Sequence, residues 1–296
     1  MKTSNEFDFK SEGIDYLKLC LDVTVYWVGS AYDHVDGILD FYEKSMEVLR
    51  DHVTQFTTDS MSAPRRVKKD TFELLPFWLK NPKARREILM LTLDNASTPD
   101  SASDHAMIFR AVKSDNAGAI RLVLPIDFIA ESTTPFIELA KNLVASFDFS
   151  SGHAGYSVNY NDNGELLENA EDEFYRLSTR YPGIDLPDIF GSISVIGNGI
   201  KRINWLTLLG TLYSDGLGGA NKLRRVLGKD ITVHDLPMGV MIQAGPKPEV
   251  GDVNRRQRLP KYHIVGRTLA SIRAGDHPSF IRDEEETQEW LAYFDT

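Results

Sequence analysis

LKLCLDVTVYWV, residues 17–28, places Leu17, Leu19, Leu21, Val23 and Val25 at every second position, with other side chains between them. A period of two marks a β-strand, because successive side chains point to opposite faces of a sheet. The strand pattern extends over residues 14–28. Immediately downstream the period changes. Val35, Ile38, Leu39, Tyr42, Met46 and Leu49 step by three and four, so a helix capped by Ser30 or Asp33 is expected through about residue 56.

Further along, residues 60–87 are rich in basic side chains, and Pro76 and Pro82 break them into short helices or an irregular excursion. Three strands follow in EILMLTLD, HAMIFRAV and GAIRLVLP, with a hairpin turn at SDNAG between the last two. A helix is expected over 131–147, with Pro135 in its first turn. FSSGHAGYSVNY, residues 149–160, opens another strand, and ENAEDEFYRLSTRYPG reads as a helix stopped by Pro182 and Gly183. ISVIGNGIKRINWLTLLG reads as a glycine hairpin leading into a buried strand. A helix starts near Gly219 and runs through Leu227. ITVHDLPMGVMIQAG forms a hairpin with a turn longer than two residues, and a last helix covers about 260–273.

Helices that lie between runs of strands, instead of alternating with them, predict an α+β fold with a mainly antiparallel or mixed sheet. The order strand, long helix, strands, helix occurs twice, with the second half starting near 151. The expected organisation is a polar N-terminal extension at 1–13, a main domain at 14–275 with halves at 14–150 and 151–275, and an acidic tail at 276–296.

The 296 residues, 42% of them hydrophobic, suffice for a core that buries roughly 75% of the unfolded surface without disulfides or metals. Cys20, the only cysteine, lies in an apolar run and has no partner for a disulfide or a Cys/His metal site. The N-terminus has no apolar h-region, and no segment reaches the ~18 apolar residues of a membrane span. These features read as a cytoplasmic protein with no membrane contact. A net charge of −10 disfavours direct nucleic-acid binding and suits a basic partner. Self-association is left open.

Catalytic patterns are weak. Ser150, Ser151 and His153 supply a nucleophile and a base, but there is no G-x-S-x-G elbow. Neighbours two or three apart on a strand also present a base poorly to a nucleophile. Gly152 and Gly155 point to a turn that launches the strand. DGLGGANKLRR, with Gly216, Gly218 and Lys222, begins like a phosphate-binding loop but lacks the last glycine of G-x-G-x-x-G. A phosphate-bearing ligand at Gly216–Lys222 is therefore the alternative function. The histidines have no metal-ligand spacing, so neither a metal nor a cofactor is expected. His234 and Asp235 face opposite sides of a strand, and Trp205 reads as core.

Charge clustering is more informative. Asp162, Glu165, Glu168, Glu171, Asp172 and Glu173 crowd one stretch, with Glu165, Glu168 and Glu171 three apart. Asp162, Glu165, Glu168, Glu171 and Asp172 are the expected partner-binding residues. A second group, Asp283, Glu284, Glu285, Glu286 and Glu289, precedes Trp290, Tyr293 and Phe294, which either anchor a partner or tie the tail to the core.

The ordered segments FSSGHAGYSVNY, RYPGIDLPDI, GIKRINWLTLLG, LGGANKLRRVLG and VMIQAGPKPEVGDVNRRQRLPKYHIVGRTL resemble the type VI immunity family over about residues 15–273. The resemblance implies a bacterial antidote that binds a cognate type VI secretion effector toxin without catalysis, with a cytoplasmic nuclease as the preferred target. It supplies no catalytic residues.

Overall fold

The computed structural model describes residues 7–11, 14–81, 86–98, 100–160 and 164–296, with backbone alone at 11 and over 164–171. Among these residues one antiparallel sheet of 11 strands forms the frame. β1 (Phe9–Ser11) folds back on β2 (Ile14–Val28), the long strand that begins the chain's periodic pattern. Ser30 Oγ accepts from Tyr32 N in a short 3-10 turn, and α1 (Val35–Leu49) follows.

α1 stops at Leu49, short of the expected end near 56, because Gln55–Thr58 forms β3. There Phe56 and Thr58 are buried while Gln55 and Thr57 are half-buried, the alternation of a strand and not of a helix. The excursion that follows holds the two-residue edge strand β4 (Arg65–Arg66) and α2 (Leu74–Lys80). β5 (Ile88–Asp94), β6 (Ala106–Val112) and β7 (Ala117–Leu124) form a meander, and α3 (Thr134–Leu143) carries proline in its first turn.

β8 (Ser151–Tyr160) pairs with β2 from Leu17↔Tyr160 to Tyr26↔Ser151. Gly152, His153 and Gly155 are thus strand interior and not a turn before it. A Cβ at Gly152 would sit 2.5 Å from the Thr24 carbonyl oxygen, so glycine lets the two strands approach. Gly155 lies at φ +153°, and its Cβ would meet Asn204 Oδ1 at 2.5 Å.

α4 (Gly164–Arg180) comes next. The expected glycine hairpin in ISVIGNG does not form. Asp188 Oδ1 accepts from Gly191 N at 3.1 Å, caps α5 (Ile189–Val195), and a 3-10 turn continues to Asn198. β9 (Leu206–Gly210) then pairs with β8 and with β11. α6 (Thr211–Gly216) and α7 (Gly219–Leu227) precede β10 (Thr232–Leu236) and β11 (Gly239–Gln243). Leu236 pairs with Gly239, so the turn is only Pro237–Met238, tighter than expected. α8 (Pro260–Leu269) and α9 (Glu284–Ala292) end the chain.

The strands run β10-β11-β9-β8-β2-β7-β6-β5-β3-β4 across the sheet, so β2 and β8 join the portions before and after residue 150. The odd side of β2, Leu21 to Trp27, buries against α1, α2, α3, α7 and α8 in the main core. Trp27 is fully buried and lies against Phe109 and Phe147. A second cluster packs Leu17, Leu19 and Val158 against Phe174 and Leu177 of α4 and Trp290 and Leu291 of α9. The helices on the odd side leave the other face of the sheet to different residues.

Candidate functional site

Antiparallel register fixes that second face, because directly paired residues share a side of the sheet. Thr24 on β2 pairs with Arg121 on β7 and His153 on β8, and Arg121 pairs with Ile108 on β6. Thr92 on β5 pairs with Ile108, and Thr57 on β3 with Thr92. Near the middle this face carries charges inside strands that otherwise read as apolar. Asp22 is fully buried and Arg121 is 2% exposed.

Arg121 ties three strands together. Its Nε donates to Asp22 Oδ2 at 2.7 Å, Nη1 to Asn159 Oδ1 at 3.1 Å, and Nη2 to Ser157 Oγ at 3.0 Å and the Val158 carbonyl at 2.8 Å. Beside this pair, Lys201 Nζ donates to both Asp185 oxygens at 3.1 and 3.0 Å. Burial alone would raise the Asp185 carboxyl, but Lys201 and His153 outweigh it and hold the group well below the usual carboxylate range. His153 Nε2 lies 3.3 Å from Asp185 Oδ2 without the alignment of a hydrogen bond. Asp22, His153 and Asp185 are close enough to share a cation. Their donor set does not suit one, because Arg121 and Lys201 already neutralise the two carboxylates in a buried site.

A Ser–His pair also lies on this side. Ser192 Oγ is 3.1 Å from His277 Nε2, while His277 Nδ1 lies 2.9 Å from the Pro278 carbonyl. Burial pushes the imidazole pKa down, which favours the neutral ring. Both side chains are buried, so the pair clamps the 277–280 segment onto α5 instead of facing a substrate.

Where α5 and that segment end, the face opens into a cleft of about 1010 Å³. Its floor holds Thr57, Met90, Thr92, Ile108 and Arg110 of β3, β5 and β6, with Arg121 and Asn159 at the back. Phe174 of α4, Phe190 of α5, Phe280 and Arg282 also line it, as do Asp59 and residues 61–64 of the loop after β3. Phe190 is 44% exposed, with the Arg110 guanidinium 5.8 Å from its ring centre. Asp59, Asp94, Asp100 and Asp188 add carboxylates to the lining. An open polar sheet face with an exposed aromatic on its rim is suited to binding a macromolecular surface.

Comparison with known proteins places this architecture. A family model described as TsiV, type VI immunity for VRR-NUC, matches residues 41–294. The chain belongs to this family. It is an immunity protein of type VI secretion, and its role is to neutralise an effector toxin. The matched span runs past residue 273 to include α9, whose Trp290 and Leu291 are buried. The immunity protein shares its fold with the Pseudomonas aeruginosa T6SS protein PA0821, at TM-score 0.81 and 18% identity, covering 98% of this chain and 88% of that one. A chain from the structure of the toxic C-terminal tip of CdiA from Pseudomonas aeruginosa in complex with immune protein matches at 16% identity. It covers 46% of this chain and 86% of that one, at TM-score 0.27. No curated protein matches.

The immunity protein disperses the residues singled out in its sequence. Asp162 lies outside the described residues. Glu165, Glu168 and Glu171 fall on the backbone of α4, with their side chains outside the described residues. Asp172 is 91% exposed, and its Oδ1 lies 3.3 Å from Nη2 of Arg282, a cleft residue, so this helix borders the cleft. Gly218 adopts φ +94° at the start of α7, and Lys222 is exposed beyond it. Ser150 Oγ donates to the Tyr26 carbonyl at 3.0 Å, whereas Ser151 Oγ is buried without a partner. His234 meets Gln243 Oε1 at 2.9 Å, and Trp205 is buried against Phe136.

In the tail, Asp283 Oδ1 accepts from Glu286 N at 2.9 Å and caps α9. Glu284, Glu285 and Glu286 occupy the first turn, where acidic groups suit the helix dipole. Trp290 and Phe294 bury beneath the Arg202 guanidinium, at 4.0 and 4.8 Å, so these aromatics tie the tail to the core. The cleft itself was missed in the sequence. Its nearest signal was Asp22 and Arg121, charges placed inside otherwise apolar strands.

Proposed function

We propose that the immunity protein neutralises a cytoplasmic nuclease effector by non-catalytic occlusion, using the cleft and the adjoining α4 as its docking face. The family match, whose description names VRR-NUC, carries the reading. The molecule's charge supports it: a nuclease must attract a polyanion, and a chain of net charge −10 complements a cationic cleft. Among the described residues no helix is long and apolar enough to cross a membrane, which is compatible with action on a cytoplasmic target. The carboxylates at Asp162, Glu165, Glu168, Glu171 and Asp172 would steer encounter, and Phe190 would anchor the complex.

Titration of purified cognate nuclease with this protein, read by DNA cleavage, tests the proposal. Inhibition is expected to saturate at a fixed stoichiometry and to persist in a co-purified complex. Inhibition by a small fraction of an equivalent, with turnover, would overturn occlusion in favour of an enzyme. Phe190→Ser is expected to weaken inhibition at a small cost in thermal stability, because the residue is 44% exposed.

A further inference from the structure

The acidic chain carries a local reversal of charge at one end of its sheet. β4 is the terminal strand, and Arg65, Arg66, Lys68 and Lys69 on and just after it are exposed. Among the described residues none of these cations forms an intramolecular ion pair, although the chain has 43 acidic against 33 basic side chains. Beside them lies a notch of about 280 Å³ lined by Phe56, Thr71 and Leu74 together with Arg65, Arg66, Lys68 and one carboxylate, Asp70. Phe77, three residues beyond Leu74 on α2, is 58% exposed. Residues three apart share a helix face, so Phe77 continues the apolar surface of Leu74.

Guarding a sheet edge against aggregation needs the charges alone. It does not need an apolar notch or an exposed phenylalanine beside them. That combination, apolar side chains with three cations and a single carboxylate around them, has the make-up of a binding patch. The patch is also continuous with the cleft: the cleft-lining loop ends at Pro64, and Arg65 is the next residue.

We infer that the Arg65–Lys69 edge and Phe77 form a second contact surface for the effector, one that takes an acidic segment bearing an apolar anchor. The inference rests on the proposed function. Cations recognise the carboxylates, the notch takes the anchor, and β4, which ends the strand order among the described residues, offers a short edge to an extended segment. A nucleic acid is the other polyanion such a patch could attract. The net charge of −10 repels a long phosphate backbone but does not prevent a local contact with a few carboxylates.

The test uses the full chain and the purified cognate nuclease, with association and dissociation rates measured at low and high salt. The variant Arg65→Ser/Arg66→Ser/Lys68→Ser/Lys69→Ser is expected to bind roughly tenfold or more weakly, with a shallower salt dependence. Lys69→Gln/Phe77→Ser leaves β4 intact and is expected to weaken binding even if the quadruple variant folds poorly. Phe190→Ser is run beside them as the test of the cleft. Wild-type affinity for a folded Lys69→Gln/Phe77→Ser protein overturns the second surface, whatever Phe190→Ser does. Retained nuclease affinity with lost affinity for a short DNA duplex overturns it in favour of a polyanion site. Failure of the wild type to bind the nuclease overturns the proposed function itself.

Discussion

Replacing Arg121 by methionine tests whether the buried charges on the second face hold the sheet together. The substitution nearly keeps the side-chain volume. It removes the ion pair to Asp22 at 2.7 Å and the hydrogen bonds to Asn159, Ser157 and the Val158 carbonyl. Asp22 is fully buried, so its carboxylate is left without a countercharge, and breaking a buried pair in this way costs about 3–5 kcal/mol. With a urea dependence of about 3 kcal/mol per molar for a chain of this size, the unfolding midpoint should fall by about 1–1.7 M. Chemical denaturation followed by tryptophan fluorescence and by circular dichroism measures this and checks that the two transitions coincide. The double variant Asp22→Val/Arg121→Met removes the stranded carboxylate as well, and should recover at least about 1 kcal/mol. A single Arg121→Met variant within about 1 kcal/mol of wild type, or a double variant less stable than the single, would show that the pair does not organise this face.

Further outcomes follow from other parts of the structure. Gly155→Ala should cost about 1 kcal/mol or more, since φ is +153° and Asn204 Oδ1 blocks the new Cβ; an unchanged melting temperature would count against that. Ser151→Ala deletes a buried hydroxyl that has no partner, so stability should be unchanged or higher and nuclease inhibition intact; lost inhibition by a stable variant would revive a catalytic serine. The depressed carboxyl of Asp185 stabilises the fold above its unfolded pKa of about 3.9 and loses that contribution progressively as pH falls below it. Asp185→Asn should therefore flatten the acid limb of a stability–pH curve, and an unaltered limb in the variant would exclude Asp185 as its source. Reversing Glu165, Glu168 and Glu171 to lysine should slow association with the nuclease and reduce its salt dependence. Unchanged rates for a folded variant would remove α4 from the docking face.

Local periodicity determined much of this protein. β2 could be read from Leu17, Leu19, Leu21, Val23 and Val25, and α7 from Gly219 to Leu227, because each element buries one side in a pattern that its own residues display. The antiparallel α+β class followed from the order of such elements. Where local patterns were ambiguous, partners decided. Residues 55–58 became a strand because β5 was there to pair with them, and ISVIGNG became a helix because Asp188 caps it. Gly152 and Gly155 announced a tight backbone, but only the approach of Thr24 and Asn204 shows why glycine is needed there. The type VI immunity segments were legible in order along the chain, yet the cleft was not. It is assembled from side chains at positions 57, 92, 108, 121, 174, 190 and 282, which antiparallel register and the placement of α4, α5 and the tail bring together across the whole chain. Register is a relation between strands distant in sequence, so a one-residue slip would turn the same side chains to the opposite face, and only the tertiary structure specifies it.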